Sequence, residues 1–407
     1  MNTEIPFEPF IPDGEVESQT SVANNPNRRD DASPVAILVA SAIAQRLASI
    51  RFESPAAERR LFNLYGGVPG IALFLATWGA TWDLAYYRSA AHRLLKQGNF
   101  LDRSSEVIPF GSLGICRGAG AAVYTLCALG AILKDEQLFE IAESIVEHAA
   151  GLAIDPSLED LDLFEGLAGL VLAVSRMALV WPVFVVRKCL EVLSDRLRNS
   201  ATMFAAQPKY GGPLAGFAHG LSGTSFALAA AFGAIGNTDL LASAARCIEL
   251  ESAVFDSGLH DWPDYRFNVL RSSGAWCHGW VGIGMARCAL VRLPVLRQFA
   301  QHDLSLAVDR ALNAPLRSND SLCCGNFGRV DFLLEAADAL GAPTLRTLAH
   351  QIAERLSKEA VLRKAFRDVS QDSSPGLFQG AAGYGYELLR ISSRARVPSV
   401  LAFEVWS

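Results

Sequence analysis

Seven apolar runs recur along the chain, at 71–78, 121–130, 170–180, 224–236, 283–293, 329–340 and 384–391. Each is entered through a glycine-bearing step, such as Gly67-Val68-Pro69-Gly70, Gly166-Leu167-Ala168-Gly169 or Gly279-Trp280-Val281-Gly282. The first glycines of the steps are Gly67, Gly118, Gly166, Gly220, Gly279, Gly325 and Gly380, spaced 46 to 59 residues apart. The second step is degenerate, with Ala121 at the position of the closing glycine. The runs are apolar almost all round, as helices buried on every side are. The segments between them, for example 136–151 and 345–361, carry apolar residues at i, i+3 and i+4 and read as half-exposed helices. A period near 50 therefore predicts units of one buried and one amphipathic helix. Polar capping repeats, which an open stack needs, are missing at the ends. The expected fold is all-α: an α/α toroid with seven inner and seven outer helices. Strand patterns are sparse. The glycines would let all inner helices begin on one face, their unpaired N–H groups and positive dipole ends converging on a central funnel.

Composition refines this picture without redirecting it. Residues 1–33 are rich in Asn, Pro, Ser, Asp and Glu and read as a flexible arm, leaving 34–407 as one toroid domain. Of 407 residues, 51% are hydrophobic and 19% charged, enough for a large core. A net charge of −6 gives no reason to expect nucleic acid as a partner. No apolar stretch reads as a membrane span, and the acidic start lacks the apolar core of a signal peptide, so no membrane insertion is expected and the location reads as cytoplasmic. The eight cysteines form no disulfide framework, which fits reduced thiols.

Chemistry gathers beside the steps. Cys277 stands in Trp276-Cys277-His278-Gly279, and Cys323-Cys324 precede Gly325. Three thiols on two such loops can close on one soft metal ion; zinc suits the donor set and would keep a fourth position open. The competing reading is three small buried hydrophobes. Other steps carry Asp162 and Glu165, His219, Arg117, Tyr65 and Gln379. Singly, each has an ordinary account: His219 as a core histidine, Asp162 as a helix cap, Arg117 as a structural donor. His278 is itself an alternative ligand. The shared register favours a functional reading of His219 with Cys277, Cys323 and Cys324.

Phe217-Ala218-His219-Gly220, Trp276-Cys277-His278-Gly279 and Cys323-Cys324-Gly325, in this order and spacing, resemble the LanC family of lanthionine synthetases over roughly residues 34–395. The resemblance implies an α/α toroid that adds peptide cysteine thiols to dehydroalanine or dehydrobutyrine, forming thioether rings. It implies zinc held by Cys277, Cys323 and Cys324, His219 as acid/base, and Asp162 acting with or orienting a histidine. Cys324 stands where the family usually has histidine. That resembles the three-cysteine cyclase domains of bifunctional synthetases, as does Trp262-Pro263-Asp264-Tyr265-Arg266. Three thiolates would make a bound substrate thiolate more nucleophilic while lowering its pKa less. There is no room for a dehydratase domain, so the implied partners are a dehydrated precursor peptide and a separate dehydratase. The family's arginine before Trp-Cys has no match in register; Arg271 lies nearby without an assigned role. The alternatives are addition of a small thiol such as glutathione, and a non-catalytic scaffold in a biosynthetic complex. A toroidal glycosidase is disfavoured because inner-face carboxylates are few, mainly Asp162 and Glu165.

Overall fold

A computed structural model describes residues 22, 25–50, 63–97, 101, 111–153, 155, 160–206, 214–266, 271–363, 374–393 and 396–406. Fourteen helices lie among them: α1 Pro34–Ala48, α2 Val68–Thr81, α3 Ala85–Gln97, α4 Ala119–Leu133, α5 Glu136–Ala153, α6 Leu167–Val180, α7 Phe184–Ala206, α8 Leu221–Ile235, α9 Asp239–Ser252, α10 Trp280–Leu290, α11 Pro294–Asn313, α12 Asn326–Leu340, α13 Pro343–Arg363 and α14 Ala381–Ser392. Within the described residues β structure is limited to isolated bridges such as Asn63 with Arg117. No described helix is long and apolar enough to cross a membrane.

The even-numbered helices form the inner layer. Each touches the next, and α14 returns to α2, so the ring is closed. In α2 every residue except Ala80 is buried, and in α12 the first twelve residues are. The odd-numbered helices lie outside and bury one stripe each; in α5 this is Leu138, Phe139, Ile141, Ala142, Ile145, Val146, Ala149, Ala150 and Ala153. Helices α3, α5, α7, α9, α11 and α13 each pack on the inner helix before them, and α1 packs on α14. The N-terminal helix thus completes the last unit of the ring. Most of the segment expected to be an arm lies outside the described residues. Its last part is fastened down: the Asn25 and Asn27 side-chain amides donate to the carbonyls of Trp82 and Thr81, and Arg29 N–H donates to the Ser392 carbonyl.

The first glycine of every step is the N-cap of an inner helix, and none of these helices has a side-chain cap. The preceding loop replaces it by folding back. The N–H of the first helical residue donates to a carbonyl seven residues earlier: Ala119 to Ser112, Leu167 to Asp160, Trp280 to Ser273, Asn326 to Asn319 and Ala381 to Ser374, at 2.9–3.2 Å. The expectation of unpaired N–H groups facing the funnel is therefore corrected for these helices, because their own loops use the leading donors. The fold-back also explains the second glycine. A Cβ at Gly282 would overlap the carbonyl oxygen of Trp276, and one at Gly169 that of Leu163.

The loops bond to each other as well. Backbone N–H groups of Tyr65, Cys116, Phe164, Phe217, Trp276, Cys323 and Phe378 donate to the carbonyls of Cys116, Phe164, Ala218, Trp276, Cys323, Phe378 and Tyr65, at 2.7–3.3 Å. Each step loop donates to the next and the last to the first. This closed ring holds the residues just before the helices in one layer.

Candidate active site

Cys277 and Cys323 sit two residues before their N-cap glycines, and Cys324 one residue before. The ring bond from Trp276 N–H to the Cys323 carbonyl, 2.7 Å, ties these two loops together. The Cys277 and Cys324 sulfurs are 3.7 Å apart, those of Cys323 and Cys324 3.3 Å, and all three lie within 4.8 Å of one another. A disulfide needs about 2.05 Å, and all eight cysteines are free. Thiolates about 2.3 Å from a tetrahedral ion stand about 3.8 Å apart, close to this spacing. Cys277 and Cys323 are buried and Cys324 is half-buried. The Cys323 thiol is held well above its ordinary pKa, because it shares hydrogen bonds with Cys277 and Cys324 and is buried. Three thiols so placed resist joint ionisation unless a cation offsets them. Convergence, soft donors and burial together suit a soft metal ion. The Tyr65 hydroxyl, also raised by burial and by the neighbouring thiols, borders the cluster.

On the loop next to that of Cys277, His219 Nδ1 lies 2.8 Å from Asp162 Oδ2. The other carboxylate oxygen of Asp162 accepts the N–H groups of Glu165 and Gly166, at 2.8 and 3.1 Å. The carboxylate is thus both a local loop brace and the partner of the imidazole; it caps no helix, because Gly166 is the N-cap of α6 and that helix has no side-chain cap. With Nδ1 committed, Nε2 is the nitrogen of His219 left to meet a substrate. The ring is sandwiched, with Phe164 at 5.0 Å on one side and His278 at 4.6 Å, nearly parallel, on the other. Burial, helped by the charges of His219 and Arg266, pushes the His278 imidazole down to about 3 and so keeps it neutral. Its Nδ1 is buried without a hydrogen-bond partner. Arg117 pairs with Glu165 at 3.6 Å, both half-exposed, and lies over the Phe164 ring.

The family profile described as "Lanthionine synthetase C-like protein" matches residues 60–402. The chain belongs to this lanthionine synthetase C-like family. Among solved structures it is similar to "Nisin cyclase", with a TM-score of 0.66 at 17% identity, over 86% of this chain and 92% of that one. A sugar epimerase from a ruminal bacterium matches at a TM-score of 0.44 and 11% identity, over 68% of this chain and 85% of that one, too distant to carry an argument. A search of curated protein sequences found no match.

This lanthionine synthetase C-like chain brings together all five residues singled out by sequence: Cys277, Cys323 and Cys324 in one cluster, Asp162 and His219 in one pair, both set in the ring of step loops. Arg271 is exposed, and its carbonyl accepts the Asp264 N–H. Arg266 is the residue that sequence reasoning passed over. Its guanidinium holds the buried Asp264 carboxylate through two bonds, 2.6 and 2.9 Å, and its charge bears on both Cys277 and Cys324. The signal was present in Trp262-Pro263-Asp264-Tyr265-Arg266. Nothing in the spacing, however, said that the loop between α9 and α10 turns back on the thiols.

Proposed function

We propose that this protein is a zinc-dependent lanthionine cyclase that closes thioether rings in an already dehydrated precursor peptide. The observation that carries the reading is the convergence of Cys277, Cys323 and Cys324 in the loop ring that also holds the Asp162–His219 pair. Cys277, Cys323 and Cys324 would hold the zinc, which when bound supplies a positive charge and an open position that stabilise a substrate thiolate. In the reaction a sulfur–carbon bond forms at the β-carbon of dehydroalanine or dehydrobutyrine. The alkene π pair moves toward the carbonyl, and a proton is delivered to the α-carbon, so the thiol proton lost is balanced by the proton gained. His219 Nε2 carries a proton at one of these two points, as acid or base. Asp162 fixes the His219 tautomer and ring orientation through Nδ1. Phe164 and His278 hold the ring plane. Arg266, already neutralised in part by Asp264, adds positive charge beside the thiols.

The test uses a dehydrated peptide containing a free cysteine. Cyclisation leaves its mass unchanged and removes its free thiol, so alkylation followed by mass spectrometry reads the product directly. About one zinc per chain is expected, lost in Cys277→Ala and Cys324→Ala together with cyclisation. An active protein without metal would sink the mechanism. A gain in peptide mass only when a small thiol is added would replace cyclisation by intermolecular thiol addition.

A further inference from the structure

The C-terminal segment is threaded inside the toroid, beneath the ring of step loops. Val397, Val400, Leu401, Ala402 and Phe403 are buried, Phe403 completely. Side chains from four inner helices grip the backbone or hydroxyls of this segment. Tyr124 of α4 donates to the Glu404 carbonyl at 2.9 Å, and Arg176 of α6 to the Ala402 carbonyl at 3.1 Å. Asp331 of α12 accepts the Ser399 hydroxyl at 2.9 Å. Tyr386 and Arg390 of α14 donate to the carbonyls of Pro398 and Val397, at 3.0 and 3.1 Å. The segment also meets the functional loops. Trp276 Nε1–H donates to the Leu401 carbonyl at 3.1 Å. The Phe403 ring lies 6.0 Å from Trp276, 6.5 Å from Phe217 and 6.0 Å from Phe378. These three rings sit one residue before Cys277, one before Ala218-His219, and in the closing loop of the ring. Phe403 adopts a left-handed backbone, φ 49°, in a turn closed by the Phe403 N–H on the Val400 carbonyl and the Glu404 N–H on the Ser399 carbonyl.

We propose that residues 397–404 are a positioning element for the candidate active site, with Phe403 as the apolar support on which the Cys277 and His219 loops rest. The backbone ring fixes the loops to each other in one layer. It does not fix their height along the toroid axis, because a ring of hydrogen bonds can tilt or ruffle. A large side chain under Phe217, Trp276 and Phe378 removes that freedom. Deleting it leaves a cavity against the Phe217, Trp276 and Phe378 rings, and the loops that carry them gain a route to local opening without unfolding the helices.

The inference deepens the zinc-thiol reading, yet its readout does not depend on zinc. In the full-length protein as purified, iodoacetamide labelling is followed cysteine by cysteine by peptide mass spectrometry, with metal content measured alongside. Phe403→Ala is expected to raise labelling of Cys277 and Cys324 about tenfold. Cys127 and Cys247, buried in α4 and α9, and Cys189, half-buried on α7, should keep wild-type rates. Phe403→Leu retains most of the volume and should give a smaller rise; it carries the test if Phe403→Ala does not fold. Wild-type rates at Cys277 and Cys324, or an equal rise at Cys127 and Cys247, would overturn the inference. A wild-type protein without zinc, together with selective labelling in the variant, would instead overturn the metal reading and leave the positioning role standing.

Discussion

Asp162 shows how one side chain can serve two ends. One oxygen braces the Glu165 and Gly166 amides, and the other holds His219 Nδ1. Asp162→Asn keeps the shape and one acceptor oxygen but loses the negative charge beside the imidazole. It is expected to retain zinc and to slow cyclisation by about 10²–10⁴-fold, with His219→Ala in the same range. The double variant should be little worse than either single one, because the two residues act as a unit. Turnover of the dehydrated peptide measures this; losses that multiply in the double variant would separate the two residues. At this scale the sequence was largely legible, since acid, imidazole and thiols stood at matching places beside glycine steps. The Phe164–His219–His278 sandwich was not. Nothing in the spacing of consecutive units shows that rings from neighbouring loops stack face to face.

The helix-plus-loop unit follows from the hydrophobic pattern: all-round apolar runs became the inner helices and one-sided stripes the outer ones. The glycines were expected to let the inner helices begin on one face with free N–H groups, and their reason differs from that expectation. They make room for a loop that folds back to cap its own helix, rather than leaving N–H groups open to the funnel. Step two tests the rule from within, because Ala121 replaces the closing glycine while the cap bond from Ala119 to Ser112 survives. There Gly118 takes φ 104°, and the neighbouring Gly120 faces the Leu113 and Gly114 carbonyls. Gly282 has no such escape: a Cβ there meets the Trp276 carbonyl and lies 2.7 Å from Phe217 N, the two atoms joined in the ring bond between the His219 and Cys277 loops. Gly282→Ala should cost about 3 kcal/mol by overpacking. Gly233→Ala, exposed on α8 with open space around it, should be neutral or stabilise by up to about 1 kcal/mol. Thermal unfolding midpoints should rank Gly233→Ala at or above wild type and Gly282→Ala well below. Equal midpoints would mean that the loop can move away cheaply.

At the scale of the whole molecule, closure of the toroid was legible from missing polar caps at its ends, whereas the axial tail was not. Residues 397–404 are too short and too irregular to show a period, and only the finished ring creates the hole they fill. Their anchorage brings a buried charge imbalance. Asp331 and Glu335 of α12 and Glu387 of α14 surround one buried guanidinium, Arg390; Arg292 and Arg396 reach Glu335 only at 4.0 Å, and Arg396 is taken up at 2.7 Å by Glu404 of the tail. Burial holds the Glu387 carboxyl well above the ordinary glutamate range, with Asp331 adding repulsion and Arg390 only partly offsetting it. One of its oxygens has no hydrogen-bond partner. A carboxyl with a raised folded-state pKa binds its proton more tightly in the native state than in the unfolded chain. Its contribution to stability is therefore complete below the ordinary glutamate value of 4.5 and declines as pH rises through the folded-state pKa. Between those limits each retained proton gives a slope of about 1.4 kcal/mol per pH unit. Glu387→Gln keeps the shape and cannot ionise, so its stability should fall less steeply with rising pH than that of wild type, and the two curves should diverge upward from the glutamate range. Urea unfolding at a series of pH values measures both slopes. Parallel curves would mean that Glu387 is ionised in the native protein and that Arg390 alone balances the three acids.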